Sequence, residues 1–359
     1  MKVLITGGAG FIGSNVAKAC LEKGDRVVIW DNLSRTGTDK NLHWLREQGS
    51  FEFVKVDVRN RKKILSEFRA ARRFDAILHF AAQVAVTTSV ADPLSDFDTN
   101  ALGTLNLLEG VRQTSPEAIF LYTSTNKVYG DLSKIPLLEK EERYAFEFLT
   151  EGISEEQPLD FHSPYGCSKG SADQYVRDYG RIYGLRTVVF RQSCIYGPRQ
   201  FGVEDQGWVA WLMIARELGL PLTVYGNGKQ VRDLLHIDDL SRAIFQALER
   251  MDRIQGEVFN IGGGPNQTLS VLELVHQLKK ESGGTSWKIT FSERRPGDQS
   301  IYVSNLRKAQ ELLDWSPSIG MEEGLVALHR WVQNHRKILK KLHSLPAPKR
   351  FGLPAPMSS

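Results

Sequence analysis

The chain is poor in cysteine and contains no long apolar run. Its 359 residues include 3 cysteines, Cys20, Cys167 and Cys194, at spacings that match neither a disulfide framework nor a structural zinc site. No apolar stretch approaches the ~20 residues needed to span a membrane. The N-terminus begins directly with a strand pattern and leaves no room for a signal peptide. We therefore expect a cytoplasmic protein without a metal site.

The chain also lacks a basic surface outside its C-terminus. The formal net charge is +4, but the stretch 336–350 is rich in Lys and Arg and contains no acidic residue, so the rest is close to neutral. A general nucleic-acid-binding surface is therefore not expected. We interpret 336–359 as a solvated, basic, Pro-containing tail rather than a specific binding segment.

The first half of the chain alternates between strand and helix patterns. Short apolar runs between turns are typical of buried strands, and segments of helical period lie between them. This alternation predicts an α/β fold of Rossmann type, a doubly wound parallel sheet with helices on both faces. The predicted strands are Val3–Thr6, Arg26–Trp30, Phe51–Val56, Ala76–Phe80, Ile119–Thr123 and Thr187–Phe190, and the helices are Ile12–Glu22, Lys62–Ala71, Ala101–Gln113 and Ser168–Tyr183.

Beyond Arg191 glycine and proline turns become frequent and the elements shorten. This predicts a smaller C-terminal lobe at the carboxyl ends of the sheet strands, where open α/β sheets bind ligands. We assign residues 1–190, with about 234–263, to a cofactor-binding domain, and residues 191–233 and 264–335 to a substrate-binding lobe. The long acidic stretch 131–160 indicates a functional loop or cap. The predicted elements of this half are the helices Val209–Leu218, Ile237–Met251, Leu269–Glu281 and Leu325–His335 and the strands Leu222–Tyr225 and Val258–Ile261.

A glycine turn follows the first strand. The spacing of Gly7, Gly10 and Gly13 lets the backbone turn tightly, so that a pyrophosphate can bind at the N-terminus of the next helix. The second strand ends at Asp31, near the position expected for a carboxylate that binds the adenosine ribose. Such a carboxylate would repel a 2′-phosphate, so NAD is favoured over NADP, although nearby Arg35 could accommodate that phosphate.

Further candidate cofactor contacts lie at other strand ends. Asp57 either faces the adenine or is a turn residue. Asn100 is either a plain helix N-cap or a structural residue beneath the active site. Small residues after the fourth strand would let the backbone approach the cofactor. The predicted NAD contacts are Gly7, Gly10, Phe11, Ile12, Gly13, Asp31, Asn32, Ser34, Arg35, Asp57, Val58, Phe80, Ala81, Ala82, Gln83, Asn100, Thr123, Tyr165 and Lys169.

Tyr165 and Lys169 form the candidate chemical pair. Ser163 suits a helix N-cap and Pro164 suits a first helical turn, so Tyr165 and Lys169 fall on one helix face. A free tyrosine has a pKa of ~10, too high for a base at neutral pH, but a nearby ammonium and a positive nicotinamide ring would favour the phenolate. With the glycine turn upstream, the pair predicts hydride transfer between a nicotinamide and a hydroxyl-bearing substrate. A plain surface Tyr/Lys pair is the alternative.

The hydroxyl-rich end of the fifth strand, 121–130, carries a resemblance. Over about residues 1–336 the chain resembles the extended short-chain dehydrogenase/reductase family of sugar-nucleotide epimerases and dehydratases. The resemblance implies Thr125 as the catalytic hydroxyl, Tyr165 as the base, Lys169 as its partner, NAD as the cofactor and a nucleotide-diphospho sugar as the substrate. The matching segments are 7–13, 121–125, 165–169, 191–199, 226–233 and 295–298.

One departure from the family pattern narrows the reaction. The dehydratases of this family have an Asp-Glu pair directly after the threonine, whereas this chain has Asn126-Lys127. Neither residue can act as a carboxylate acid or base. Elimination of water is therefore not expected, and redox chemistry or epimerisation remains.

The segments 31–35, 41–45, 124–131, 159–170 and 205–208 resemble a branch of the family that epimerises a CDP-sugar at C2. This resemblance implies a transient 2-keto sugar and an NAD that stays bound between turnovers. Composition and spacing do not show which carbon reacts. The alternatives are a UDP-sugar 4-epimerase, a net NAD-dependent oxidoreductase that releases NADH, and a non-catalytic nucleotide sensor.

The second lobe should hold the nucleotide diphosphate. Arg199, Arg232 and Arg295 are candidates because arginine binds phosphate oxygens through two hydrogen bonds, with surface ion pairs as the alternative. Asp298 is a candidate contact for the nucleotide ribose. Cys194 has no paired base in any recognisable motif and is not expected to be a nucleophile. The predicted substrate contacts are Gln83, Thr125, Asn126, Gln192, Ser193, Cys194, Arg199, Gln206, Val224, Arg232, Arg295 and Asp298.

The resemblance also implies self-association. Members of the family are often homodimers or homotetramers that pair through the helices expected at 101–113 and 168–183. Neither a nucleic acid nor a membrane is an expected partner.

Overall fold

The computed structural model describes residues 1–281, 287–295 and 297–344. Most of the predicted basic tail, 345–359, lies outside the described residues, as does Pro296 within the predicted segment 295–298. The first part of that tail, Arg336–His343, is a helix whose Leu339 is buried in the apolar cluster of the smaller lobe, so its prediction as a solvated tail is wrong. The strands are β1 (Lys2–Thr6), β2 (Arg26–Asp31), β3 (Glu52–Lys55), β4 (Ala76–His79), β5 (Ile119–Thr125), β6 (Leu137–Glu139), β7 (Tyr144–Phe146), β8 (Arg186–Gln192), β9 (Cys194–Tyr196), β10 (Leu222–Tyr225), β11 (Val231–His236), β12 (Val258–Ile261), β13 (Thr268–Ser270), β14 (Ile289–Ser292) and β15 (Ile301–Tyr302).

Helices follow most of the main-sheet strands, as the alternating pattern predicts. Two short segments have other helical geometry: a π-helical turn at Asp98–Leu102 and a 3₁₀ turn at Asn126–Tyr129. The α-helices are α1 (Phe11–Glu22), α2 (Thr38–Arg46), α3 (Arg61–Ala71), α4 (Val86–Ala91), α5 (Pro93–Phe97), α6 (Gly103–Thr114), α7 (Pro164–Tyr183), α8 (Trp208–Leu218), α9 (Ile237–Glu249), α10 (Met251–Ile254), α11 (Val271–Glu281), α12 (Arg307–Leu313), α13 (Met321–Asn334) and α14 (Arg336–His343).

The main sheet has 7 strands in the order β12-β8-β5-β4-β1-β2-β3, and all of its neighbours pair in parallel. Its two faces are covered because successive side chains point in opposite directions. Val3 and Ile5 of β1 pack with α1, α9 and α12, whereas Leu4 packs with α3, α6 and α7. The doubly wound α/β fold is confirmed, and the strand order reverses beside β1, where such sheets bind ligands.

The smaller lobe forms from short strands and three helices. Strand β10 pairs in parallel with β14, and β11 pairs with β9, β13 and β15. Helices α8, α11 and α13 pack around a separate apolar cluster that contains Leu212, Leu274 and Leu328. The division of the chain into two domains at the boundaries given above stays a prediction.

The acidic stretch 131–160 forms a hairpin that packs on the smaller lobe. Strands β6 and β7 pair antiparallel, the Tyr144 N–H donates to the Lys229 carbonyl at 2.9 Å, and Arg143 forms an ion pair with Glu273 at 3.2 Å. Closure over a ligand stays a prediction. Within the described ranges no helix has both the length and the apolar character needed to cross a membrane.

A buried ion pair joins α7 to the sheet. The Arg191 guanidinium on β8 donates two hydrogen bonds to the Asp173 carboxylate of α7, at 2.9 and 3.0 Å, and the side chains are 3% and 0% exposed. Arg191 also donates to the Tyr129 hydroxyl at 3.1 Å, which donates to Asn260 of β12 at 2.7 Å. The network therefore fixes α7 against two neighbouring strands and the turn after β5.

Arg191→Met should lower the free energy of unfolding by about 3–5 kcal/mol, because it leaves the Asp173 carboxylate buried and unpaired. Urea unfolding followed by far-UV circular dichroism measures the change. The matched control is Arg186→Met on the same strand, whose pair with Asp252 is exposed and should contribute less than about 1 kcal/mol. Equal losses in the two variants would contradict the structural role of the buried pair.

Candidate active site

The glycine turn brings β1 and the loop after β4 into close contact. Gly7 has a φ of 67°, and a Cβ there would lie 2.7 Å from the backbone nitrogen of Ala81. A Cβ on Gly13 would collide with the Gly7 carbonyl. Gly10 is the N-cap of α1 and supplies no side-chain cap, so the first N–H groups of this helix stay available to an oxyanion.

Asp31 lies at the end of β2, 7% exposed, beside the glycine turn. Its carboxylate accepts the Ala9 N–H at 3.0 Å and the Leu33 N–H at 2.7 Å. Burial raises the pKa of Asp31, and these two hydrogen bonds oppose that shift. Arg35 is close enough to interact electrostatically with both Asp31 and Tyr165, so it lies between the two halves of the predicted site.

Asp57 is engaged by neighbouring side chains. Arg59 donates to it at 3.0 and 2.8 Å and Asn32 at 3.1 Å, and the Arg59 hydrogen bond is the main reason that the pKa of Asp57 falls to about 2. Asn32 in turn accepts the Ser34 N–H at 3.0 Å. The Val58 side chain lies in the core. The contacts match the turn interpretation of Asp57, and its adenine contact stays a prediction.

Asn100 lies within the π-helical turn at Asp98–Leu102, so its interpretation as a plain N-cap is wrong. Its side chain accepts the Gln83 N–H at 2.9 Å and donates to the Gln83 carbonyl at 3.0 Å. These bonds fix the loop 80–83, whose Phe80 N–H donates to the Thr6 carbonyl at 3.0 Å. Asn100 is thus a structural residue that supports the predicted cofactor loop.

Tyr165 and Lys169 lie on the first turns of α7. The Ser163 side chain accepts the Gly166 N–H at 3.1 Å and Pro164 occupies the first turn, as predicted from the sequence. The backbone N–H of Tyr165 donates to Ser89 of α4 at 3.1 Å. Packing against the sheet buries both side chains of the pair.

Thr125 ends β5 and meets Tyr165 across the strand end. Both side chains line the same cavity, and the Thr125 hydroxyl is close enough to Tyr165 to lower the pKa of the phenol. The Thr125 hydroxyl also accepts the Lys127 N–H at 3.2 Å and contacts the Asn126 side-chain oxygen at 3.3 Å. The Asn126 amide is held by Gln299 at 2.9 Å. The structure therefore brings the predicted catalytic hydroxyl and base together.

Burial controls the pKa values of the chemical pair. Desolvation raises the pKa of Tyr165 to about 12 and lowers the pKa of Lys169 to about 7. The Lys169 ammonium donates to the Thr123 carbonyl at 2.5 Å and lies 4.3 Å from the centre of the Tyr122 ring. In the protein alone Tyr165 is a neutral phenol at pH 7, and a positive charge brought to the site would favour its ionisation.

A cavity of about 300 Å³ opens between the end of β5 and the smaller lobe. It joins the candidate chemical group to the arginines predicted to hold a diphosphate. Gln83 and Asn100 do not line it. The predicted residues that do line it are Thr125, Asn126, Tyr165, Gln206, Val224, Arg232, Arg295 and Asp298, together with Lys127.

The lobe side of this cavity is rich in charge. Arg232 donates to Asp298 at 2.7 Å and Lys127 approaches the same oxygen at 3.5 Å, while Arg295 donates to Asp205 at 3.1 Å. Burial raises the pKa of Asp298, but the neighbouring cations outweigh it and the net shift is downward. Burial also lowers the pKa of Lys127 to about 8. These cations suit the binding of a diphosphate.

Arg199 lies elsewhere, which corrects its prediction as a phosphate contact. Its backbone has a left-handed φ of 73°, and its guanidinium lies 4.1 Å from the centre of the Trp44 ring. Its carbonyl accepts the Asn41 amide at 3.3 Å. The residue lines a separate surface groove, because this turn directs its side chain away from the cavity.

Gln192, Ser193 and Cys194 lie behind the cavity rather than in its lining. The Ser193 hydroxyl is bound to Asp233. Burial raises the pKa of the Cys194 thiol to about 12, which fits the expectation that this cysteine is not a nucleophile. Their predicted substrate contacts stay predictions. Over the described ranges, no group of three or more His, Cys, Asp or Glu is arranged to hold a metal ion.

Sequence reasoning missed the polar residues that hold the N-terminal turns of α7 in place. Asp96 accepts a hydrogen bond from Ser168 at 2.5 Å, and Ser89 holds the backbone of Tyr165. Ser89 lies on α4 and Asp96 lies on α5. These helices are too short to produce a detectable helical pattern in the sequence. Ser168 lay within the predicted helix, but only its contact with Asp96 reveals its role.

The glycine turn, the Thr125 hydroxyl and the Tyr165/Lys169 helix together define a Rossmann-type enzyme of the short-chain dehydrogenase/reductase class. The chain belongs to the GDP-mannose 4,6-dehydratase family, whose model matches residues 4–328. This confirms the resemblance to sugar-nucleotide epimerases and dehydratases.

Named relatives include both epimerases and dehydratases. The chain is 46% identical over 341 residues to a CDP-paratose 2-epimerase of Salmonella typhi, covering 93% of this chain and 100% of that protein. A UDP-glucuronic acid 4-epimerase from Bacillus cereus, solved with UDP-glucuronic acid and NAD, has a TM-score of 0.78 at 30% identity, covering 93% and 99% of the two chains. A dTDP-glucose 4,6-dehydratase from Streptomyces venezuelae with NAD has a TM-score of 0.81 at 30% identity, covering 95% and 100%.

Lys169→Met tests the electrostatics of the pair in protein freed of nucleotide. The pKa of Lys169 is about 7 in the folded protein against 10.5 for an ordinary lysine, so the unfolded chain binds more protons between these values. The free energy of unfolding of the wild type should therefore rise with pH relative to the variant, by roughly 1 kcal/mol per pH unit between about pH 7 and 9.

Urea unfolding of both proteins across that pH range measures the difference. The control is Lys18→Met on the outer face of α1, where the lysine pairs with exposed Glu22 and the substitution should change the free energy of unfolding by less than about 1 kcal/mol. If the difference in unfolding free energy between wild type and Lys169→Met did not change with pH, burial would not lower the pKa of Lys169.

Proposed function

We propose that this chain epimerises a nucleotide-diphospho sugar while NAD stays bound, and that the substrate is CDP-paratose, converted to CDP-tyvelose at C2. The observation that carries the reaction type is the single cavity that joins Thr125 and Tyr165 to Arg232 and Arg295. The whole-length similarity to the CDP-paratose 2-epimerase of Salmonella typhi supports the choice of substrate.

The residues of the glycine turn fit a dinucleotide. Gly7 and Gly13 leave no space for a side chain, Gly10 leaves the first turn of α1 uncapped, and Asp31 stands at the end of the next strand. The pyrophosphate would bind at the α1 N-terminus and the adenosine ribose at Asp31, whose oxygens keep lone pairs beyond the two backbone hydrogen bonds. The Asp31 carboxylate supports NAD rather than NADP.

The chain's own groups carry the proton chemistry. Tyr165 as phenolate removes the proton from the sugar C2 hydroxyl, and Thr125 donates a hydrogen bond to that oxygen. Lys169 supplies the positive charge that favours the phenolate. NAD held at the glycine turn and Asp31 would supply the acceptor, and later the donor, of the C2 hydride. Arg232 and Arg295 hold the diphosphate, so the keto sugar can turn about this anchor and present the opposite face of C2 for return of the hydride. Tyr165 then returns the proton to the C2 oxygen.

The turn after β5 favours epimerisation over loss of water. Asn126 is held by Gln299, and Lys127 is directed at the Gly297 carbonyl, 3.2 Å away, and at Asp298. Neither side chain is a carboxylate. The turn therefore lacks the Asp-Glu pair that would remove a carbon-bound proton and protonate a leaving hydroxyl. The keto intermediate is therefore returned to an alcohol rather than dehydrated.

Purified protein incubated with CDP-paratose, without added NAD, should form CDP-tyvelose, as seen by proton NMR of the sugar ring. The conversion is expected because the hydride is returned in each turnover and no cofactor is consumed. Absence of conversion in protein shown to contain NAD would reject this substrate. The same assay with UDP-glucose tests a 4-epimerase, and stoichiometric NADH absorbance would indicate a net oxidoreductase.

Tyr165→Phe is the matched control for this assay. The substitution removes one hydroxyl from a buried ring, and turnover should fall by about 10³-fold or more while NAD stays bound, since a general base is lost. Activity close to wild type in this variant would reject Tyr165 as the base.

We also propose that the chain forms a homodimer or homotetramer in the cytoplasm. Helices α5 and α7 each expose an apolar pair, Leu94 (78%) and Phe97 (53%) on α5 and Ile182 (67%) and Tyr183 (51%) on α7, and such exposure favours a protein interface. The absence of a disulfide among Cys20, Cys167 and Cys194 supports a reducing compartment.

Ile182→Glu should shift the protein toward the monomer in analytical ultracentrifugation, because a charge would be buried in the interface. Val326→Glu is the control, since Val326 is also exposed (53%) but lies on α13 of the smaller lobe. A wild-type protein that sediments as a monomer at micromolar concentration would reject the proposal.

A further inference from the structure

Asp96 is a buried carboxylate beneath the first turns of α7. It lies on α5, is 1% exposed, and forms no ion pair with any of the described residues. Burial raises the pKa of Asp96, and the Ser168 hydrogen bond, the charge of Lys169 and the Gln83 hydrogen bond oppose that shift. A buried carboxylate without a basic partner is costly unless neutral donors satisfy it, so its presence calls for a role.

Neutral donors surround the Asp96 carboxylate. Ser168 donates to one oxygen at 2.5 Å, and Gln83 and Asn100 donate to the other at 2.9 and 3.2 Å. Asn100 also donates to the Ser168 hydroxyl at 3.0 Å. Asp96 thus ties the cofactor loop, the π-helical turn and α7 together one residue from Lys169.

Two carboxylates raise the pKa of Lys169 against the effect of burial, Asp173 and Asp96. Asp173 already receives two hydrogen bonds from the Arg191 guanidinium, so much of its charge is cancelled. The Asp96 charge is not cancelled in this way. Of the two carboxylates that act on Lys169, Asp96 is therefore the one whose negative charge is not neutralised by an arginine.

Two other titratable groups near the pair, His79 and Tyr122, carry no charge at neutral pH. Burial lowers the pKa of His79 on β4 and raises the pKa of Tyr122 on β5, so both are neutral. Arg35, from the loop after β2, lowers the pKa of Tyr165, whereas Asp96 raises it. Arg35 and Asp96 thus act on Tyr165 with opposite signs.

We propose that Asp96 is a positioning residue that sets the pH range of the reaction through Lys169, holding α7 by its bond to Ser168 and placing an uncompensated negative charge behind the ammonium. The proposal rests on the proposed function only in taking Tyr165 and Lys169 as the chemical pair. Asp96 does not line the cavity and is not itself a catalytic residue.

Two variants separate the charge of Asp96 from its hydrogen bonds. In Asp96→Asn the amide oxygen can still accept from Gln83 and Asn100. Its nitrogen can donate to Ser168, whose hydroxyl then turns to the Tyr165 carbonyl, 3.2 Å away. The charge is lost and the bonds remain. Ser168→Ala instead keeps the carboxylate and removes its link to α7.

The expected result is a shift of the pH profile of kcat when the charge of Asp96 is removed, and no shift in Ser168→Ala. Loss of the anion lowers the pKa of both Lys169 and Tyr165, so both limbs should move to lower pH by about half a unit or more. KM for CDP-paratose should change less than twofold. Ser168→Ala should lower kcat with both limbs unmoved. Asp96→Ser, with a smaller side chain, should reproduce the shift of Asp96→Asn.

A second measurement needs no substrate. The pH range over which the free energy of unfolding rises relative to the Lys169→Met variant, measured by urea unfolding, should begin at lower pH in the Asp96→Asn background than in wild type. Failure of the wild type to convert CDP-paratose would reject the substrate and leave this measurement standing. The proposal would be overturned if the pH profiles of kcat for Asp96→Asn and Ser168→Ala had their limbs at the same pH. It would also be overturned if the pH range of the Lys169 effect on unfolding were the same in Asp96→Asn as in wild type.

Discussion

The buried pair between Arg191 and Asp173 is the interaction on which the site depends. Two charges in a dry interior are stable only when each satisfies the other and every remaining donor finds a partner. Here the guanidinium binds the carboxylate with two hydrogen bonds and uses a third on the Tyr129 hydroxyl. This geometry allows one placement of α7 against β8, so the pair fixes where Tyr165 and Lys169 stand.

The N-terminal end of α7 is held by a different set of contacts. Ser163 caps the helix, Ser89 accepts the Tyr165 N–H, and Asp96 accepts the Ser168 hydroxyl. The ion pair at the middle of α7 and the neutral hydrogen bonds at its N-terminal end leave the helix little freedom to slide or rotate. A hydride transfer demands that kind of rigidity, because a misplacement of about 1 Å can cost two orders of magnitude in rate.

The same burial that fixes the pair also sets its charge state. Desolvation pushes the pKa of Lys169 down to about 7 and that of Tyr165 up to about 12, so each tends toward its neutral form. Ionisation of Tyr165 then depends on positive charge brought to the site. The charge of the nearby Asp96 carboxylate raises the pKa of both groups.

Local patterns in the chain determined much of the fold and part of the site, because they rest on interactions between near neighbours in sequence. The apolar runs of β1 to β5, the glycine spacing at 7–13 and the capped start of α7 were all predictable. The roles of Asn100, Arg199 and Asp96 were decided by tertiary structure. A π-helical turn moved Asn100 off a cap, a left-handed residue turned Arg199 onto Trp44, and chain folding placed Asp96 72 residues away beside Ser168. Such contacts join segments distant in sequence, and their free energy exists only once the core has formed.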